Sequence, residues 1–205
     1  MILHADETLV VADKPAGLPS VPGRPAELHD CLWLRVRAQF ADALVVHRLD
    51  MATSGLVLFA RGIEAQRRLS RAFAQREVEK TYAAIVAGTV AADSGEIDLP
   101  LAADWPNRPR QIVDAERGKP SLTRWRVLER AAERTHLELS PLTGRSHQLR
   151  VHLAAVGHPI LGDALYAPPA IAQAAGRLLL HASALRLAHP ADGRSLHVVS
   201  PAPFG

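Results

Sequence analysis

The six residues Gly55-Leu56-Val57-Leu58-Phe59-Ala60 carry no polar side chain, and a continuous apolar run of that length reads as a buried strand. A buried strand requires hydrogen-bonding neighbours, so the chain is expected to build a sheet around it. Thr8-Leu9-Val10-Val11-Ala12 reads as a second short strand, stopped by Lys14-Pro15-Ala16-Gly17, where fixed and permissive backbone positions sit side by side. Further strands are expected over residues 81–87, 122–128, 135–139 and 178–187. Helical spacing marks two longer segments. Leu28, Leu32 and Val36 predict a helix over about 28–40, with Arg35 and Arg37 off its apolar face. Ala65, Leu69 and Phe73 predict another over about 63–75. Arg67, Arg68, Arg71 and Arg76 lie off that buried stripe, as a solvated charged face or a phosphate-facing patch. Consecutive strands without regular intervening helices predict an α+β fold, a mixed, mainly antiparallel sheet flanked by helices and loops.

The 205 residues, 48% hydrophobic, are enough for one substantial domain, expected to span 1–205. The opening Met1-Ile2-Leu3-His4-Ala5-Asp6-Glu7 lacks the basic and apolar regions of a secretory signal, and no uncharged apolar run approaches a membrane span. A soluble, cytoplasmic protein is expected. Cys31 is the single cysteine, so neither an intramolecular disulfide nor a cysteine-based metal site can form, and it is expected in buried packing. Formal net charge is only +3, yet lysine occupies just positions 14, 80 and 119 and the rest of the 24 basic residues are arginine. Arginine's planar fork suits phosphate and base recognition; an Arg- and Ala-rich genomic composition produces the same count.

Several chemistries lose their sequence support. There is no Gly-x-Gly-x-x-Gly and no Gly-x-Ser-x-Gly, and Gly118-Lys119-Pro120-Ser121 lacks the upstream glycine of a phosphate loop. The ten histidines form no His-Glu-x-x-His and no i, i+4 pair, so no metal is expected. Three segments then stand out. In His47-Arg48-Leu49-Asp50-Met51-Ala52-Thr53-Ser54-Gly55, Asp50 lies in a loop running into the buried strand; it is a positioned reactive carboxylate or the acid of a turn or local cap. In Gly144-Arg145-Ser146-His147-Gln148-Leu149-Arg150-Val151-His152, Leu149, Leu153 and Val156 mark the buried side of a short helix that Gly157 ends. Arg145 and His147 sit at its positive start, where Arg145 meets an anion or makes an ordinary salt bridge. Tyr82, in Lys80-Thr81-Tyr82, stacks on a base or fills a strand core.

Taken together and in order, Lys14-Pro15-x-Gly17, His47-Arg48-Leu49-Asp50-x-x-Thr53-Ser54-Gly55, Lys80-x-Tyr82 and Gly144-Arg145-x-His147-Gln148-x-Arg150-x-His152 resemble the RluA family of pseudouridine synthases. The resemblance extends over almost the whole chain. It implies the catalytic fold of that family and isomerisation of specific uridines in structured RNA to pseudouridine, without cofactor or metal. Asp50 would be the catalytic carboxylate, Arg145 its ionic partner, Tyr82 the base-stacking group and proton acceptor, and Arg48 the filler of the space the flipped uridine vacates. His47, Thr53, Lys80, Arg108, His147, Gln148 and Arg150 would join Arg48 in RNA binding. An opposite charge favours the ionised, nucleophilic carboxylate, and a loop uridine unstacks more readily than a paired one.

Some relatives carry an N-terminal S4 RNA-binding domain; with the Lys-Pro motif at residue 14, none is expected ahead of it. The length, with Asp104-Trp105-Pro106-Asn107-Arg108-Pro109, resembles dual-specificity members. The implied partners are then uridine 32 in tRNA anticodon stem-loops and uridine 746 in a loop of 23S ribosomal RNA, met by a monomer with no obligate protein partner. Two other classes fit the same residues: a catalytically dead RNA-binding module, and a nucleosidase or N-glycosylase in which water completes the reaction and frees uracil.

Overall fold

The computed structural model describes residues 1–204. Its strands run β1 (Ile2–Ala5), β2 (Leu9–Lys14), β3 (Ala43–Val45), β4 (Ser54–Arg61), β5 (Glu79–Ala87) and β6 (Ser94–Asp98), then β7 (Leu101–Ala103), β8 (Gln111–Val113), β9 (Leu122–Ala131), β10 (Arg134–Pro141), β11 (Leu180–Ala188) and β12 (Ser195–Val199). The α-helices are α1 (Leu32–Arg37), α2 (Ile63–Ala74), α3 (Gln148–Ala155) and α4 (Pro169–Ala172). Strands with few helices, in mixed pairing, make the α+β fold expected from the sequence. Contacts gather the chain into two compact units, Met1–Lys80 with His181–Ala202, and Thr81–Leu180 with Pro203 and Phe204.

In the first unit β4 is the central strand. It pairs antiparallel with β2 and β3 and parallel with β11, while β1 extends β2 and β12 extends β11. The register aligns Leu9 with Ala60 and Val11 with Leu58, so one face of the sheet is apolar. Onto this face α2 sets Ala65, Leu69 and Phe73, and Leu185 and Leu187 complete the core. Phe59 and Val57, on the opposite face, are equally buried, which is why β4 has no polar alternation. At its start the approach to β11 is too close for a side chain. A Cβ on Gly55, at φ +110, would lie 2.3 Å from the Ala182 carbonyl oxygen. The Ser54 hydroxyl meets Nδ1 of His181 at 2.8 Å, the His181 Nε2 lies 3.2 Å from the Ser200 hydroxyl, and Ser200 donates to Asp13. That buried relay fastens the beginnings of β4 and β11 to the end of β2.

The second unit is antiparallel, with β10 between β5 and β9 and β6 beyond β9, plus a β7–β8 hairpin. Leu137 and Leu139 share a face with Ala84, Tyr82, Val127 and Trp125. Residues of α3 reach the same layer: the Gln148 amide and the His152 ring both contact the Thr123 hydroxyl.

Three expectations change. The helix predicted over 28–40 is confined to Leu32–Arg37, because Ala26–Leu28 forms a separate 3-10 turn and Cys31 is extended. Leu28 folds back onto Gly23, where an added Cβ would come within 2.6 Å of its own. The first helical N–H groups of α1 donate to the carbonyls of Pro19 and Ser20. Val156, expected on the buried side of α3, is exposed because that helix ends at Ala155. The short strands β1, β3, β6, β7, β8 and β12 carry no run long enough to announce them. Replacing Leu69 by Ala in the α2 core should destabilise the protein by about 2–5 kcal/mol in urea unfolding, by loss of burial and creation of a cavity.

Candidate active site

Between β3 and β4 the chain makes the loop that carries Asp50. Its near end is tied by His47, whose Nε2 accepts the Leu58 N–H at 2.9 Å, so an imidazole takes the place of a ladder carbonyl just where β3 stops. The ring stacks on Phe73 at 4.5 Å. Lost hydration, with the Lys80 ammonium nearby, pushes the His47 pKa down to about 3, so the ring is neutral and free to accept that bond. Lys80 itself is displaced downward by burial and by Arg76. At the far end the Thr53 N–H donates to the Asp50 carbonyl at 3.1 Å and Thr53 is buried.

The middle of the loop rests on residues 14–20. Lys14 is fully buried, and its ammonium donates to the carbonyls of Pro15, Leu18 and Met51 at 3.0, 2.7 and 3.0 Å. The Gly17 N–H donates to that same Met51 carbonyl at 2.8 Å. Gly17, at φ +84, holds a left-handed turn that suits glycine. Arg48 is exposed and Asp50 partly exposed, while Leu49 between them is buried. The loop is thus fixed through its backbone while the residues that would do chemistry face outward in part.

In the second unit, Tyr82 is partly buried opposite Leu139. Arg145, exposed, donates to the Pro120 carbonyl at 3.4 Å. His147, Gln148 and Arg150, which follow in the motif, are occupied within the protein. His147 takes a left-handed conformation, φ 54, at the start of α3, and its Nδ1 lies 2.6 Å from the Tyr166 hydroxyl, which also accepts the Gln111 N–H. Gln148 is buried with its amide fully committed: its oxygen accepts from the Thr143 hydroxyl and the Arg145 N–H, and its nitrogen donates to the Leu122 carbonyl and the Thr123 hydroxyl. Arg150 is buried in a two-pronged ion pair with Asp163, at 2.8 and 2.6 Å, and lies over the Tyr166 ring. Burial alone would raise the Asp163 pKa, but the Arg150 hydrogen bonds and charge outweigh it and hold the carboxyl below its ordinary value.

Arg108, in the loop between β7 and β8, stacks its guanidinium on Trp105 at 3.2 Å from the ring centre, and Trp105 is 70% exposed. Of the expected site residues, His47, Arg48, Asp50 and Thr53 therefore share one loop with Lys80 close to His47. Arg145, His147, Gln148 and Arg150 share one end of α3, and Tyr82 and Arg108 lie on other elements of that second unit. Sequence reasoning missed Asp163, Tyr166 and Thr143, which are the partners of the α3 motif; Asp163 after Gly162 reads only as a turn residue. Among the described residues no group of three His, Cys, Asp or Glu is placed to hold a metal ion, and no helix is long and apolar enough to cross a membrane.

Residues 8–155 match the family model of RNA pseudouridylate synthases. The chain is 50% identical over all 205 residues to the dual-specificity RNA pseudouridine synthase RluA of Escherichia coli K12, covering 94% of that protein. It is also 50% identical to the RluA of Vibrio cholerae over 189 residues, which is 92% of this chain and 77% of that one. Among solved structures, human RNA pseudouridylate synthase domain containing 1 superposes with a TM-score of 0.83 at 30% identity, across 99% of this chain and 83% of that one.

Removing one partner of the buried pair, in Arg150→Met or Asp163→Asn, should cost about 3–5 kcal/mol in urea unfolding at neutral pH. Because Asp163 is depressed in the folded state, the pair's contribution is complete above the ordinary carboxylate range, near pH ~4, and is lost as pH falls through the folded value. The gap between wild type and the Asp163→Asn variant should therefore narrow on acidification, which unfolding curves measured at several pH values would show.

Proposed function

The chain belongs to the RNA pseudouridylate synthase family and is an RNA pseudouridine synthase, and from that premise we propose that Asp50 is its catalytic carboxylate. The observation that carries this reading is the Asp50 loop itself. Its neighbours Leu49 and Met51 are hydrogen-bonded to residues 14–20 while Asp50 stays partly exposed. A reacting group is best held this way, rigid in its backbone and partly exposed at its side chain.

In the proposed reaction the target uridine leaves its stack, Arg48 fills the space it vacates, and the base stacks on Tyr82. The C1′–N1 bond breaks with the assistance of the Asp50 carboxylate, the uracil turns within the site, and C1′ joins C5. The proton lost from C5 is accepted by Tyr82 or by solvent, and one is gained at N1. Atoms and oxidation state are unchanged, so no redox cofactor or energy source enters the balance. Arg145 is proposed as the ionic partner that the family resemblance implies for the carboxylate. Arg108 on its Trp105 platform contacts RNA, as exposed guanidinium and aromatic groups suit phosphate and base. Gln148 and Arg150, first expected among the RNA contacts, act instead as supports, since both are buried and hydrogen-bonded within the protein, and His47 supports the loop through its Nε2.

The likeness to dual-specificity relatives supports two targets, the tRNA anticodon-loop and 23S ribosomal RNA uridines named above. Both units work together as one catalytic domain, a monomer acting in the cytoplasm. Asp50→Asn should fold and bind substrate RNA yet yield no pseudouridine; wild-type turnover by that variant would remove Asp50 from the mechanism. Pseudouridine maps of RNA from cells with and without the protein should lose both positions. Release of free uracil from the target RNA would instead mark an N-glycosylase.

A further inference from the structure

Ser20 lies outside every motif so far considered, yet its side chain holds the residue immediately before Asp50. It is 4% exposed. Its hydroxyl donates to the Leu49 carbonyl at 2.7 Å and accepts the Leu49 N–H at 3.0 Å, so one small group satisfies both backbone polar atoms of the residue before Asp50. Ser20 is anchored in turn: its own carbonyl accepts the Trp33 N–H and that of Pro19 the Leu32 N–H, both at the start of α1. On the other side of Asp50, the Met51 carbonyl is held by Lys14 and Gly17. Asp50 is therefore a single residue between two pinned ones, and the pin at Leu49 is one hydroxyl.

We infer that Ser20 is a positioning residue for Asp50, an inference that rests on the reading of Asp50 as the catalytic carboxylate. Without the hydroxyl, a buried N–H and a buried C=O at Leu49 lose their partner together, and the loop must shift to recover water or another acceptor. A shift that small is enough to matter, since displacement of a reacting group by about 1 Å can slow chemistry by about a hundredfold. The requirement is for a group that both donates and accepts in little volume, which serine meets and alanine does not.

The test compares Ser20→Ala, Ser20→Thr, Ser20→Cys and Asp50→Asn, each measured for single-turnover pseudouridine formation at saturating RNA, RNA affinity, and hydrogen exchange of the Leu49 amide. Ser20→Ala should slow the chemical step by about 10–100-fold, leave RNA affinity within about twofold, and speed Leu49 exchange. Ser20→Thr, which keeps the hydroxyl, should recover most of the rate. If Ser20→Ala does not fold, Ser20→Cys, similar in size but a weak donor and acceptor, should show the same split between rate and affinity. Wild-type chemistry in a folded Ser20→Ala or Ser20→Cys with fast Leu49 exchange would overturn the inference, as would Ser20→Thr folding as well as wild type but reacting as slowly as Ser20→Ala. An active Asp50→Asn would overturn the Asp50 reading itself; an inactive Asp50→Asn beside a fully active Ser20→Ala would overturn only the role of Ser20.

Discussion

The ammonium of Lys14 is buried completely, and a charge in that position is tolerable only while its acceptors stay closed around it. Three of those acceptors are backbone carbonyls, two from the turn that follows Lys14 and one from Met51, beside Asp50. Opening the loop would leave a desolvated cation short of partners, a far larger penalty than the loss of an ordinary surface hydrogen bond. The charge thus converts a flexible connection between β3 and β4 into a defined one. The parallel joint of β4 and β11, with Gly55 against Ala182, fixes the strand into which that connection runs.

Much of this scaffold was legible in the sequence where a segment was long and uniform. The run at Gly55–Ala60 became the body of β4, and the Ala65, Leu69, Phe73 stripe became the inner side of α2. The same rule failed at Leu28, where the i, i+4 spacing continues but the backbone does not: Leu28 packs onto Gly23 within its own turn. Periodicity reports which side chains want burial, and it is blind to a local partner that offers burial without a helix. Strands of three to five residues were invisible because their stability comes from ladders with sequence-distant neighbours, as β12 depends on β11.

At the site, the sequence exposed the cluster and concealed the division of labour inside it. An arginine fork fits a phosphate and a carboxylate equally well, and only the fold shows that Arg150 already holds Asp163, thirteen residues further on. Gln148 gives all four of its hydrogen-bonding capacities to neighbours. The arginine-rich composition resolves in the same way. Arg124 and Arg126 pair with Glu96 and Glu138 across strands, and Arg130 is spent on the carbonyls of residues 90–92. Part of the arginine set is therefore engaged within the protein while still exposed, and Arg124, Arg126 and Arg130 lie on the surface just as Arg48, Arg108 and Arg145 do.

His47 behaves, in this setting, as a backbone group with a side chain's reach. Its acceptor nitrogen stands in for a carbonyl, and its proton affinity is so depressed that the ring keeps one charge state across the whole interval in which histidines usually switch. A latch built from an ordinary imidazole would let go whenever the surroundings turned mildly acidic. This one is indifferent to such swings, so the tie between His47 and β4 holds through them.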